Sequence, residues 1–183
     1  MGAGDGRFVL RRAAEHPEEL VLAVDASQVA MREASWRANR SAKRGGVANA
    51  VFVASSLERL PAELDGIGSL VTVHFPWGSL LDAATGREAD GADRLAALVA
   101  PGGHLRLLLS ASSRDGQGGA TSLEPLAVAD AFADRGFAVE QCRTATLLDA
   151  DAAHSSWGRR LLRGDGDRSA WLLELRRLES AHG

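Results

Sequence analysis

Three glycines and one carboxylate near the start of the chain have the types and spacing of a nucleoside-binding site. Gly2, Gly4 and Gly6 alternate directly before a predicted helix, and glycine lets a backbone approach a ligand closely and adopt positive φ. Asp25 follows nineteen positions after Gly6, at the end of the apolar run VLAVD. A carboxylate there can accept hydrogen bonds from both ribose hydroxyls of a nucleoside. The alternatives are a flexible chain end for the glycines and a helix N-cap for Asp25.

A second group of candidate ligand contacts follows the apolar run AVFVA at 50–54. Ser55, Leu57 and Glu58 come next, and we expect an adenine ring to lie against Leu57 while Glu58 or a backbone group meets its amino group. Glu58 is equally compatible with an exposed helix surface. Together with the glycines and Asp25, these residues favour an adenosyl ligand, but they do not separate S-adenosylmethionine from a nicotinamide cofactor.

Two uncommon strings contain tryptophan, PWGSLL at 76–81 and SSWGRRL at 155–161. Core packing is the usual fate of tryptophan, and we assign Trp36 and Trp171 to it. Trp157 has polar neighbours, which predict an exposed side chain. An exposed indole can stack on a base flipped out of RNA at about 1–3 kcal/mol per contact, which is similar to the cost of extruding that base.

The chain resembles the Kam-type 16S rRNA (adenine-N1) methyltransferases of aminoglycoside resistance over almost its whole length. The resemblance rests on these two strings and on GAGDGR, LVLAVDAS, LERLP and the PGG before a strand. The resemblance implies S-adenosylmethionine as cofactor and methyl transfer to N1 of adenine 1408 in the 30S ribosomal subunit. It also implies that Trp77 and Trp157 enclose the target adenine, that Ser155 positions it, and that Phe75 belongs to the cofactor site. Adenine N1 carries a free lone pair, so we expect catalysis by positioning, without a general base.

Two basic clusters supply candidate RNA contacts. The net charge of -3 gives no global attraction to RNA, so binding depends on such local clusters. We expect them to hold phosphates of the ribosomal RNA, although solvated surface charge is the ordinary fate of such residues. The clusters comprise Arg37, Arg40, Lys43 and Arg44, and further along Arg159, Arg160 and Arg163.

Composition predicts a folded protein with one domain. The chain has 183 residues, of which 45% are hydrophobic and 25% charged, and we assign 1–183 to a single domain. Cys142 is the single cysteine and no cluster has zinc-site spacing, so we expect no disulfide and no metal. No apolar run has the length to cross a bilayer, and the first residues lack the order of a signal peptide. We therefore expect a cytoplasmic monomer that binds neither DNA nor membranes.

Apolar strands alternate with helices, which predicts an α/β fold of the Rossmann-like class I methyltransferase type, with a mainly parallel sheet and an antiparallel last strand. We predict helices at 8–15, 27–40, 94–100 and 125–135, and strands at 21–25, 50–54, 69–75, 104–110, 137–145 and 169–178. The Gly/Ser-rich stretch 110–122 is predicted to be a loop, and 147–167 a connection without a clear helix. His74, inside a strand, is interpreted as a packed histidine.

The chain departs from the family pattern at its start. The family has a central strand before the glycine loop and an N-terminal hairpin, whereas this chain begins at the glycine loop. Loss of a central strand would leave backbone groups of its neighbours unpaired, so we expect an N-terminally extended chain to bind S-adenosylmethionine better. The alternative functions are methylation of a small molecule or another RNA, and a truncated, inactive homologue.

Overall fold

The computed structural model describes residues 1–110, 124–163 and 170–179, so the loop predicted at 110–122 lies, apart from Ser110, outside the described residues. In these ranges no helix has both the length and the apolar character to span a membrane. The strands are β1 (Val21–Asp25), β2 (Ala50–Ala54), β3 (Gly68–His74), β4 (Val99–Ser110), β5 (Phe137–Thr144) and β6 (Ala170–Arg177). The α-helices are α1 (Arg7–Glu15), α2 (Gln28–Ala38), α3 (Ser79–Ala84), α4 (Ala89–Ala97), α5 (Pro125–Ala133), α6 (Leu147–Ala152) and α7 (Ser156–Arg163).

The strands form two hydrogen-bonded groups. β1 pairs with β2 in parallel, and β3 pairs with β4 in parallel. β6 lies between β4 and β5 and is antiparallel to both, which gives the order β3-β4-β6-β5. The predicted combination of parallel strands with an antiparallel last strand is confirmed.

The first three residues connect the two groups of strands. The Met1 amino group donates to the Thr72 carbonyl of β3 at 2.8 Å, and the Ala3 amide donates to the Val24 carbonyl of β1 at 3.0 Å. Burial lowers the pKa of the Met1 amino group to about 6. Residues near the carboxyl ends of β1 and β3 are thus joined through the segment that leads into the glycine loop.

The sheet is buried on both faces where β4 meets β6. One face of this pair belongs to the main core, which also contains α4 and α5, and the other belongs to a second cluster under α7. A continuous apolar run rather than a strict alternation is expected for such a strand. The main-core residues of the pair are Leu105, Leu107, Leu109, Leu173 and Leu175, and the second cluster includes Leu108, Leu172 and Leu161.

Two predicted boundaries are wrong because the PGG segment is part of a strand. The helix predicted at 94–100 is α4, which ends at Ala97, and β4 already begins at Val99. The pairing of β3 with β4 shifts in register across this segment, and Gly102 has a φ of 74°. The segment is therefore a bulge inside β4 rather than a turn before it.

The connection between β5 and β6 contains two helices, although the sequence analysis predicted none. At the start of α6 the Asp149 carboxylate accepts from the Thr146 amide at 2.6 Å, which completes a capping box. The same carboxylate pairs with the Arg143 guanidinium at 2.7 Å, which holds the pKa of Asp149 well below its usual range. Such caps satisfy the free backbone groups that otherwise make short helices unstable.

Candidate active site

A hydrogen bond joins the glycine loop to Asp25. One Asp25 carboxylate oxygen accepts from the Gly4 amide at 2.8 Å, and the other accepts from the Ser27 amide at 2.8 Å. Ser27 caps α2 through its own hydroxyl, so the alternative reading of Asp25 as the helix cap is wrong. Each carboxylate oxygen has a second lone pair, so Asp25 can still accept hydrogen bonds from a ligand.

The three loop glycines have φ between 53° and 70°, the left-handed region, and each lies in different surroundings. A Cβ at Gly6 would lie 2.5 Å from the Ala34 Cβ of α2, so close packing requires glycine there. A Cβ at Gly2 would lie 2.9 Å from Leu80. A Cβ at Gly4 would have no atom within 4 Å, which leaves open space beside the Asp25 carboxylate for a ligand.

An open cleft of about 540 Å³ follows β1 and β2 and contains two of the predicted adenine contacts, Ser55 and Glu58. The Ser56 hydroxyl beside Glu58 is the main reason that the pKa of this carboxyl lies below its usual value, and Ser79 at the start of α3 contributes less. Glu58 is therefore ionised at neutral pH and can accept a hydrogen bond from an amino group. The complete lining is Ala26, Ala54, Ser55, Ser56, Glu58 and Arg59.

Leu57 departs from its predicted position in this cleft. Its side chain is 4% exposed and packs in the main core with Val24 and Leu60. The short helical turn over Leu57–Arg59 directs residue 57 inward, while Glu58 reaches the cleft. The small side chains of Ala26 and Ala54 line the cleft, where Leu57 was expected.

A strained turn at the end of β3 exposes Trp77. Phe75 has a φ of 49°, a value that is uncommon for a residue with a bulky side chain. Trp77 follows two residues later, and its side chain is 80% exposed. Gly78, also at positive φ, is the N-cap residue of α3. The turn thus presents the indole to solvent rather than to the core.

Trp157, in the first turn of α7, lies beside the same turn. Its ring centroid is 5.4 Å from that of Phe75, with 61° between the ring planes. Trp157 is 39% exposed, so core packing does not account for either tryptophan. Phe75 contacts Trp157 and is two residues from Trp77, which brings both indoles to the end of β3. Enclosure of an adenine between them remains a prediction.

Ser155 and its neighbours set the direction of α7. The Ser155 hydroxyl accepts from the Gly158 amide at 2.9 Å and so caps the helix. His154, immediately before it, has a φ of 49°, which turns the chain sharply after α6. Sequence reasoning missed His154 and Gly158. A serine just before a helix is an N-cap signal, and Ser155 could have indicated that a helix begins after it.

The first basic cluster surrounds a tryptophan that the sequence analysis wrongly assigned to the core. Trp36 is 63% exposed, and the Arg40 guanidinium carbon lies 4.0 Å from the centroid of its ring. The remaining members of this cluster, Arg37, Lys43 and Arg44, are exposed as well. Trp171 is half-buried against the main core, as predicted.

The second basic cluster lies on α7. Arg160 and Arg163 are exposed, whereas Arg159 is half-buried and pairs with Asp151 at 3.4 Å. The helix carries Trp157 as well, so the predicted base contact and these cations share one element. Arg160 and Arg163 are the members of the cluster best placed to meet phosphates.

His74 and one cluster of possible metal ligands lie outside the predicted site. Burial, and then the charges of the nearby N-terminal amino group and Arg106, lower the pKa of His74 to about 3, and its ring lies edge-on to Phe8. His74 is therefore neutral at physiological pH.

In the described residues, His16, Glu18 and Glu19 place ligand atoms within 4.8 Å of one another, but Glu19 is already paired with an arginine of α1.

Comparison with known proteins agrees with this geometry. The NpmA family profile, described as 16S rRNA (adenine(1408)-N(1))-methyltransferase, matches residues 1–176. A protein of that description from Streptoalloteichus hindustanus is 30% identical over 169 residues, which cover 88% of this chain and 78% of the relative.

Two crystal structures extend the likeness to the fold. One is a mutant 16S rRNA (adenine(1408)-N(1))-methyltransferase with cosubstrate SAM from Catenulisporales acidiphilia, which is 32% identical to this chain with a TM-score of 0.83. The match covers 100% of this chain and 85% of that protein. The other is the 16S rRNA methyltransferase KamB, which is 27% identical with a TM-score of 0.86. This match covers 97% of this chain and 86% of KamB. The family match includes the glycine loop, Asp25 and both tryptophan strings, and the chain therefore belongs to the NpmA family of 16S rRNA (adenine(1408)-N(1))-methyltransferases.

Proposed function

We propose that this chain methylates N1 of adenine 1408 in the 16S rRNA of the 30S subunit, with S-adenosylmethionine as methyl donor, and that this modification confers aminoglycoside resistance. One observation carries the proposal: Phe75, at the end of β3, contacts the exposed indole of Trp157 and lies two residues before the exposed Trp77. Family membership supports the reaction, and the 30% identical relative carries the same description.

The residues around the glycine loop and the cleft fit an adenosyl group. Gly4 leaves open space beside Asp25, whose oxygens would accept the ribose hydroxyls, and Glu58 would accept the adenine amino group in the cleft beside Ser55. Gly2 and Gly6 shape the loop around this position. When bound, S-adenosylmethionine supplies a methyl group on a positively charged sulfur.

Trp77 and Trp157 would hold the flipped adenine by stacking, and the T-shaped contact with Phe75 would keep the Trp157 ring in place. Adenine N1 has a free lone pair, so the protein has no proton to remove from it. The catalytic gain would come from holding the base in line with the donor. Methylation leaves the base cationic, and indole faces attract a cation. Ser155 would act through α7, because its hydroxyl caps that helix.

RNA docking would rest on the two basic clusters, since the net charge of the chain is -3. Arg160 and Arg163 project from the helix that carries Trp157 and would meet phosphates near the flipped base. The cluster of Arg37, Arg40, Lys43 and Arg44 would contact RNA elsewhere. We assign the activity to a cytoplasmic monomer with a single domain over 1–183, without a metal and without contacts to DNA or membranes.

Primer extension on 16S rRNA after incubation of purified 30S subunits with protein and S-adenosylmethionine tests the proposal. We expect a new stop at adenine 1408 that Trp157→Ala removes and Trp157→Phe retains in part, because phenylalanine keeps a stacking surface. Titration calorimetry should give wild-type affinity for S-adenosylmethionine in both variants.

Two outcomes would contradict the proposal. Full activity of Trp157→Ala would remove the base-stacking role, and methylation of isolated metabolites without any stop in 16S rRNA would favour a small-molecule methyltransferase. If neither this chain nor an N-terminally extended form binds S-adenosylmethionine in a thermal-shift assay, the chain is an inactive homologue.

A further inference from the structure

Gly158 is the third residue of α7, in its first turn, and glycine is a poor helix former. Neither a turn nor a positive φ requires it, since the glycines of the described residues with positive φ lie elsewhere. The residue is buried and directly follows Trp157. Its presence therefore needs an explanation other than backbone conformation.

The ring of Phe75 supplies that explanation. A Cβ on Gly158 would overlap Cε2 of Phe75 and lie 2.7 Å from Cζ and 3.1 Å from Cδ2. Real Cβ atoms do not approach neighbouring atoms that closely, so either the ring or the helix would have to move. The backbone of α7 thus packs directly against the Cδ2–Cε2–Cζ side of the Phe75 ring.

The ring has little freedom to move away. Phe75 packs against the second core cluster, which includes Leu108 and Leu161, and its ring also contacts Trp157. Its backbone is held at a φ of 49°. A side chain at position 158 would therefore displace α7 from the turn after β3 and carry Trp157 with it.

We infer that Gly158 is a positioning residue for methyl transfer: its missing side chain lets α7 lie on Phe75, which fixes Trp157 relative to the turn that carries Trp77. This inference rests on the proposed function, because it assigns Gly158 a role in holding the target base. It goes further by predicting that Gly158→Ala lowers activity although alanine is the better helix former.

Gly158→Ala is the decisive substitution, because alanine favours a helix more than glycine does. We expect kcat on 30S subunits to fall roughly 10–100-fold, the range for small misplacements of a reacting group, with KM and the affinity for S-adenosylmethionine changed less than about twofold. Ser156→Ala is the matched control. It adds the same residue at an exposed position of the same helix, and kcat should remain unchanged.

Phe75→Leu provides a rescue test, because leucine lacks the Cε2 and Cζ atoms that a side chain at 158 would meet. Phe75→Leu lowers activity by itself. In that background, Gly158→Ala should cost much less than it does in the wild type, since contacting residues are not additive. An equal fold-loss in both backgrounds would overturn the inference.

A spectroscopic measurement separates this inference from the function. With 5-fluorotryptophan incorporated, the ¹⁹F resonance of Trp157, assigned with Trp157→Phe, should shift in Gly158→Ala and stay in place in Ser156→Ala. This holds even if the wild type proves inactive on 30S subunits, a result that would contradict the proposed function alone. An unshifted resonance with wild-type kcat would overturn the positioning role. If Gly158→Ala does not fold, Phe75→Leu is compared with the double variant: equal kcat and resonance support the role, and a further loss overturns it.

Discussion

Asp25→Asn tests how far one carboxylate organises the cofactor site. Both Asp25 oxygens accept backbone amides, from Gly4 and from Ser27, each at 2.8 Å. Asparagine keeps one acceptor oxygen and replaces the other by an NH₂ group, which cannot accept from an amide. One of the two contacts is therefore lost, either at the glycine loop or at the start of α2.

The size of the effect follows from this geometry. A hydrogen bond to a charged group contributes about 1.5–3 kcal/mol, and Asp25 is half-buried, so we expect a loss of about 2 kcal/mol in the free energy of unfolding. For a chain of this size, that corresponds to a fall in Tm of about 4–8 °C. Loss of the ribose contacts should weaken S-adenosylmethionine binding by a further factor of roughly 10–100.

Thermal unfolding followed by circular dichroism and titration calorimetry measure the two effects. Asp5→Asn is the matched control, because it removes the same charge from the glycine loop that Asp25 contacts. The Asp5 carboxylate accepts from the Arg7 amide at 3.2 Å in an exposed setting, so its loss should cost less than about 0.5 kcal/mol. If the Asp25 and Asp5 variants melt together and bind the cofactor equally well, the assigned role of Asp25 is wrong.

Three further perturbations test the surroundings of the site. Ser155→Ala removes the cap of α7 and should lower the free energy of unfolding by about 1 kcal/mol in urea denaturation, whereas Ser155→Thr retains the cap; equal losses in both would exclude capping. The folded-state pKa of His74 is about 3, below the unfolded value of 6.5. As the pH is lowered through 6.5, the unfolded chain binds a proton that the folded chain does not, so the free energy of unfolding decreases. His74→Gln should therefore lose about 1–2 kcal/mol less than the wild type between pH 8 and pH 5, and an identical pH dependence would refute the assignment. Arg163→Gln should reduce the slope of log K for 30S binding against log salt by about 1, and an unchanged slope would place this residue outside the RNA contact.

The regular elements could be predicted because their signals are local. β1 and β2 have the predicted bounds, and the helix predicted at 27–40 is α2, which Ser27 caps. Trp36 was misplaced although the periodicity was available: Met31, Ala34 and Ala38 define the buried face of α2, and position 36 lies away from it. Tryptophan is large and apolar, but the helical period decides which face of α2 is buried.

Features that depend on contacts between distant segments could not be predicted. Leu57 turns inward because a short helical turn packs it on the core, a geometry that its neighbours in sequence do not specify. Nor does the sequence reveal that Gly158 faces Phe75, since the two residues are 83 positions apart and meet only when α7 packs on the turn after β3. Glycine within a helix reads as a defect until its neighbour is known.

The placement of α6 and α7 has a consequence for how such enzymes diversify. Both helices are inserted between β5 and β6, at the antiparallel edge of the sheet, while the glycine loop, Asp25 and the cleft belong to the first two strands. An insertion in a peripheral connection can change in length and charge without disturbing the parallel strands. The part of the proposed base site that contains Trp157 can therefore vary within one hairpin, while the residues proposed to bind the methyl donor stay unchanged.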